Sequence, residues 1–334
     1  VRDAPDEVNE SPDAGSGPPH AGSTGPDAGG EIPEAGNEAP DPGRGAPDTA
    51  PGADPVLSVG LVTEVFPEDP EGEAVRARLR EIRARGADLA VLPELPLDPW
   101  APATKKSRPE DAEGPVGRRH RILSEAAEAV GIQLLGGAIV RDPESGRRHN
   151  TALLFDGAGE LRARYRKLHI PHEEGFWEGA HYGGGPEPPR AVPIDASGGT
   201  ARLGIQICSD INRPQGAAVL GAHGVDVIAV PRSTPAASYA RWLLVLRAAA
   251  VTTPAFVISV NRPGPEAGVE IGGPSVAIGP DGEVLLETED PVAVLELPLD
   301  AVARARQDYP GYLSRRARVY AEGWERAGAR LEAG

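Results

Sequence analysis

A chain of 334 residues with a net charge of −16 is long enough to bury a substantial core. Its acidic balance argues against nucleic acid or an anionic membrane surface as partner, because both demand a basic footprint. A single cysteine, Cys208, excludes an internal disulfide framework and a thiolate-rich zinc site, and no apolar run approaches the roughly 20 residues that span a bilayer, so a soluble protein is expected.

Residues 1–55 carry twelve Asp or Glu against Arg2 and Arg44 and almost no large apolar side chains. Such a segment cannot offset its ordering entropy and is expected to be a disordered tail or linker. No apolar signal core opens it, and the chain has no Met. A cytoplasmic location is the first expectation, with export or anchoring after loss of an upstream segment as the alternative.

From Val56 the texture changes to short apolar runs alternating with amphipathic stretches. Val56 to Val62 reads as a buried strand; Asp69 and Pro70 then signal a helix that carries Val75, Leu79 and Ile82 and stops at Gly86. A strand over Ala87 to Pro93, a helix near Gly117 to Val130, a strand from Ile132 and a hairpin turning at Asp156 to Gly159 follow. Beyond these lie strand Arg202 to Ile207, helix Pro214 to Ala222, strand Val225 to Val230, helix Ala237 to Thr252, strand Ala255 to Val260 and a hairpin on Pro280-Asp281-Gly282. Mixed βα alternation and hairpins predict one α/β layered domain over residues 56–310, with an extension at 311–334.

Three predicted strand ends carry reactive groups: Glu94 in LAVLPEL, Lys167 in RARYRKLHIP and Cys208 in LGIQICSD. Strand C-termini hold a side chain rigidly at the edge of a crevice, which suits catalysis. Taken singly, each has a plainer reading: a solvated carboxylate, a member of a basic run, a small buried hydrophobe.

Together the strings resemble the nitrilase superfamily of carbon-nitrogen hydrolases, in its amidase branch, which includes N-carbamoylputrescine amidase. Pro93-Glu94, YRKLHIP (Tyr165 to Pro171) and GIQICSD (Gly204 to Asp210) match its strand-end motifs in order. RAAA at Arg247, the Asn-Arg at Asn261 and Gly-Gly-x-Ser ending at Ser275 add to the likeness. The resemblance spans about Val56 to Glu296. It implies a four-layer α-β-β-α sandwich and a Glu-Lys-Cys triad of Glu94, Lys167 and Cys208. Gly175-Phe176-Trp177-Glu178 also matches, which implies Glu178 as a second carboxylate positioning substrate and lysine. The implied activity is thiol-dependent hydrolysis of nonpeptide C–N bonds, as an amidase or carbamoyl amidase. Its substrate would be a small-molecule amide or carbamoyl compound, with a nitrile or a non-catalytic binding role as alternatives. No metal or organic cofactor is implied, and a homo-oligomer assembled through helices and the C-terminal segment is.

Departures bear on the pocket. Ser209 stands where relatives often carry an aromatic, and its backbone N–H is expected at the oxyanion. Ile211 and Asn212 replace a pair of arginines that grip a carboxylate in one branch; Arg213 or Arg232 is the expected substitute, and Trp177 an expected substrate contact. Asp210 is read as orienting backbone or Lys167. His169, His172 and His181 with Glu173 and Glu174 superficially suggest a metal site but lack a helical His pair, so a solvated loop is expected there.

Overall fold

Two six-stranded sheets organise the chain in the computed structural model, which describes residues 54–308 and 316–332. Except for its last two residues, the acidic tail expected over residues 1–55 lies outside that range. The first sheet runs β12-β1-β2-β3-β4-β5, from β1 (Val56–Val62), β2 (Leu89–Val91), β3 (Gln133–Arg141), β4 (Arg148–Phe155), β5 (Leu161–Arg166) and β12 (Val292–Pro298). The second runs β11-β10-β9-β8-β7-β6, from β6 (Val192–Ala196), β7 (Gly199–Ile205), β8 (Val227–Arg232), β9 (Phe256–Asn261), β10 (Ser275–Ile278) and β11 (Val284–Thr288). Each sheet repeats one plan. Three central strands are parallel, β1-β2-β3 and β7-β8-β9, and antiparallel strands flank them on both sides.

Strand alternation sorts the apolar residues between two faces. Leu57, Val59, Leu61 and Val91 meet Leu203, Ile205, Ala229 and Ile258 between the sheets. On the outer face of the first sheet, Ala90 and Leu134 pack under α1 (Glu73–Ala84) and α2 (Arg118–Val130) through Leu79, Ile82 and Leu123. On the outer face of the second, Ile228 and Val257 pack under α3 (Pro214–Ala222) and α4 (Tyr239–Thr252) through Leu220 and Leu246. The result is the α-β-β-α sandwich. Close helix approach depends on glycine: a Cβ on Gly60 would lie 2.6 Å from Ile82 Cδ1, and one on Gly204 2.7 Å from Leu220 Cδ1.

Asp69 caps α1 as expected from its composition, but from outside: its carboxylate accepts the N–H groups of Glu73, Ala74 and Val75 at 2.9, 2.9 and 3.1 Å, while Gly72 makes the left-handed turn into the helix. Strands β6 and β12 and the helices α5 (Asp300–Asp308) and α6 (Ala317–Glu332) go beyond the elements read from sequence. No helix among the described residues is long and apolar enough to cross a membrane.

Candidate active site

Strand β7 ends at Ile205, and Cys208 opens a 3₁₀ turn over Cys208–Asn212. Its φ of 47° is the left-handed conformation that non-glycine residues avoid at a cost of about 1–3 kcal/mol, so the surroundings must hold it. Asp210 does so. Its carboxylate accepts the Ile207 N–H (3.2 Å) below the cysteine, the Leu168 and His169 N–H groups (3.1 and 2.9 Å) just after Lys167, and the Tyr165 hydroxyl (2.8 Å). Of the two partners expected for Asp210, backbone or Lys167, three of these bonds go to backbone, and the fourth comes from the Tyr165 side chain. Ser209 ties the same two segments together by donating its hydroxyl to the His169 carbonyl.

The three strand-end residues converge, and Glu178 joins them. Glu94, Lys167, Glu178 and Cys208 are all buried, none more than 3 % exposed. Lys167 Nζ donates to Glu94 Oε1 at 2.8 Å and to Glu178 Oε2 at 2.5 Å. Two further buried side chains complete this cluster. Asn150 Nδ2 donates to Glu94 Oε1 at 2.7 Å, and the Tyr182 hydroxyl donates to Glu178 Oε2 at 2.5 Å. The other oxygens, Glu94 Oε2 and Glu178 Oε1, are buried without a partner. Buried carboxylate oxygens are normally satisfied, so each of these two is free to accept a hydrogen bond from a donor brought to the cluster.

Placement follows from the elements. Asn150 and Lys167 are neighbours across the β4–β5 ladder, where the Lys167 N–H meets the Asn150 carbonyl at 2.9 Å. Glu94 sits past β2 in a turn clamped by Arg262, whose guanidinium donates to the carbonyls of Glu94, Leu95 and Asp98 at 2.9, 2.7 and 3.0 Å. Arg262 follows β9, so one sheet fixes a turn of the other. The Cys208 thiol faces the Ser233 carbonyl at 3.8 Å, just past β8.

Burial opposes the charge on Lys167, but Glu178 and Glu94 outweigh it and raise the ammonium above its ordinary pKa. Lys167 therefore stays a cation and is no proton acceptor. Burial first, then the nearby Glu94, pushes the Cys208 thiol well up, so it is protonated at rest. Burial raises Glu178 to about 7 against the pull of Lys167.

Residues 72–307 match the family model for carbon-nitrogen hydrolase. The chain belongs to the carbon-nitrogen hydrolase family. It is 31% identical over 248 residues to the 2-oxoglutaramate amidase of Paenarthrobacter nicotinovorans, covering 70% of this chain and 80% of that one. It is 28% identical over 252 residues to the omega-amidase NIT2 of Homo sapiens, covering 73% and 88%. Among solved structures, a carbon-nitrogen hydrolase from Helicobacter pylori superposes with a TM-score of 0.70 at 21% identity, covering 80% of this chain and 98% of that one. An amidase from Nesterenkonia sp. superposes with a TM-score of 0.63 at 27% identity, covering 78% and 95%. A variant of the Nesterenkonia enzyme carries the acetamide moiety of fluoroacetamide covalently on its active-site cysteine.

The remaining sequence candidates of this carbon-nitrogen hydrolase fall in different places. Trp177 is half-buried beside Glu178, with Lys105 Nζ 3.9 Å above its ring and His172 edge-on at 5.1 Å. Arg232 is a correction: it is fully buried, its Nε donates to Ser259 Oγ at 2.9 Å, and its Nη atoms donate to Thr234 Oγ1 and the Pro274 carbonyl. Those bonds brace the ends of β8, β9 and β10, so the carboxylate-gripping role expected for it gives way to a structural one. Burial also pushes its guanidinium down to about 10. The three loop histidines diverge: His169 meets Asp210, His172 meets Trp177, and His181 Nε2 meets the Thr104 carbonyl. Among the described residues, no three His, Cys, Asp or Glu gather as a metal site. Asn150, Tyr182, Ser233 and Arg262 receive no role from sequence; of these only Arg262 leaves a trace there, in the strand-end Asn-Arg at Asn261.

Proposed function

We propose that the protein hydrolyses the terminal carboxamide of a small linear substrate, releasing ammonia, with Cys208 as nucleophile, Glu94 as proton carrier, and Lys167 and Glu178 as supporting catalytic groups. The carrying observation is the pair of unpartnered buried oxygens, Glu94 Oε2 and Glu178 Oε1, on two carboxylates whose charges both act on the Cys208 thiol. A primary amide brings two N–H donors to them, whereas a nitrile brings none. A buried acceptor left unpaired costs about 1–3 kcal/mol, which favours the amide. The activities for which the relatives are named, 2-oxoglutaramate amidase and omega-amidase, point the same way.

In this reading the Cys208 thiol attacks the amide carbon as its proton passes to Glu94 Oε2. The oxyanion is met by Lys167 and by the Ser209 N–H, held in place by the turn that Asp210 fixes. Collapse breaks the C–N bond, and Glu94 returns the proton to the departing nitrogen. Water, deprotonated by Glu94, then breaks the thioester, freeing the acid and restoring the thiol. Trp177, adjacent to Glu178, forms a wall of the entrance. The lysine, fixed as a cation, cannot replace Glu94 as the base.

Ammonia release from an amide and its matched nitrile, with Cys208→Ala as control, tests this reading. Release from the amide alone, abolished in the variant, is expected; faster release from the nitrile would make the protein a nitrilase. We also infer a homo-oligomer, supported by Val319, Tyr320 and Trp324 on α6, all more than half exposed.

A further inference from the structure

The contacts around the two carboxylates close into a ring. Lys167 Nζ joins Glu94 Oε1 to Glu178 Oε2, the Tyr182 hydroxyl meets that same Glu178 oxygen, and Asn150 Nδ2 meets both the Tyr182 oxygen (3.3 Å) and Glu94 Oε1 (2.7 Å). Asn150 is 2 % and Tyr182 5 % exposed. The neighbours of Asn150 fix its amide orientation, since turning the carbonyl toward Glu94 would set oxygen against carboxylate.

We propose that Asn150 and Tyr182 are positioning residues that decide which oxygen of each carboxylate is free to act. The proposal rests on the amidase reading above. Glu94 Oε1 already accepts two N–H groups, so a proton leaving Cys208 has a vacant acceptor only at Oε2. There it stays available to the departing nitrogen. Asn150 does a second thing. By donating to the Tyr182 oxygen it turns the single phenolic hydrogen onto Glu178 Oε2, which leaves Glu178 Oε1 toward the substrate. Burial and the adjacent Glu178 raise the Tyr182 pKa well above its ordinary value, so it remains a donor throughout. The charged groups acting on Glu178 are Lys167 and Glu94, and the neutral Tyr182 hydroxyl acts through its hydrogen bond. The neighbouring His181 is turned away toward the Thr104 carbonyl.

The test is steady-state hydrolysis of a small primary amide across pH by wild type, Tyr182→Phe and Asn150→Ser, with near-ultraviolet circular dichroism on each. Tyr182→Phe is expected to lower kcat at least about tenfold, the loss expected for a hydrogen bond to a charged group. KM should change less than about threefold. Its acid limb should move to higher pH, because ionised Glu178 has lost a donor. Asn150→Ser should reproduce the kcat loss. Native spectra with kcat within about twofold of wild type and an unmoved acid limb would overturn the proposal. So would loss of the native spectrum in both variants, which would make the pair a structural element of the core. An inactive wild type would instead reject the amidase reading itself.

Discussion

A thiol that burial has pushed well above its ordinary pKa is a poor nucleophile until something takes its proton. Glu94, with one oxygen saturated and the other free, is built to take it once substrate is in place. Cys208→Ala is therefore expected to abolish ammonia release, by about 10⁴-fold or more, without unfolding the protein. A second expectation concerns pH. Because burial holds Glu178 up at about 7, it gains a proton as the pH falls through that value, and Lys167 loses the charge of that partner. A kcat profile that declines below about pH 7 is expected, and Glu178→Gln should flatten that limb while lowering kcat throughout. A profile level down to pH 5 would remove Glu178 from the chemistry.

At the scale of elements, the site is where three strand ends are stapled together. Asp210→Asn weakens charge-assisted bonds to two backbone N–H groups after Lys167 and one below Cys208. A lower kcat and a lower melting temperature are expected together, whereas an unchanged kcat would free the cysteine turn from dependence on Asp210. Gly204→Ala sets a Cβ 2.7 Å from Leu220 Cδ1 and should destabilise the fold by about 1–3 kcal/mol through overpacking of α3 on β7, read by denaturant unfolding. Much of this was legible in the sequence because Glu94 and Cys208 each end an apolar run, a change of texture that declares a strand end, while Lys167 follows the Arg-rich alternating strand LRARYR and was legible through the YRKLHIP string. Asn150 and Tyr182 were not legible as site residues. Asn150 reaches Glu94 and faces Lys167 through strand register, a property of pairing and not of local composition. Tyr182 lies in a Gly- and Pro-rich loop whose path depends on what it packs against. Edge strand β6, VPIDA, carries Pro and Asp against its own strand signal, and pairing with β7 sets it. Arg232 misled because an arginine at a strand end resembles a ligand until its hydrogen bonds are followed.

For the molecule as a whole, two sheets of one plan meet across a shared apolar core, and the reactive groups gather where strand ends of both approach each other. Arg262 shows the coupling, reaching from the end of β9 to hold the turn that carries Glu94. Multi-angle light scattering is expected to give a dimer or larger species, and Tyr320→Glu with Trp324→Glu on α6 to reduce it. A monomeric wild type at micromolar concentration would contradict assembly through that helix. The central claim is a covalent thioester on Cys208. Intact-protein mass spectrometry on samples acid-quenched during turnover of a primary amide tests it most directly. An added mass equal to the acyl group, mapped to Cys208 and absent from Cys208→Ala, is predicted; undiminished ammonia release by Cys208→Ala would contradict the account.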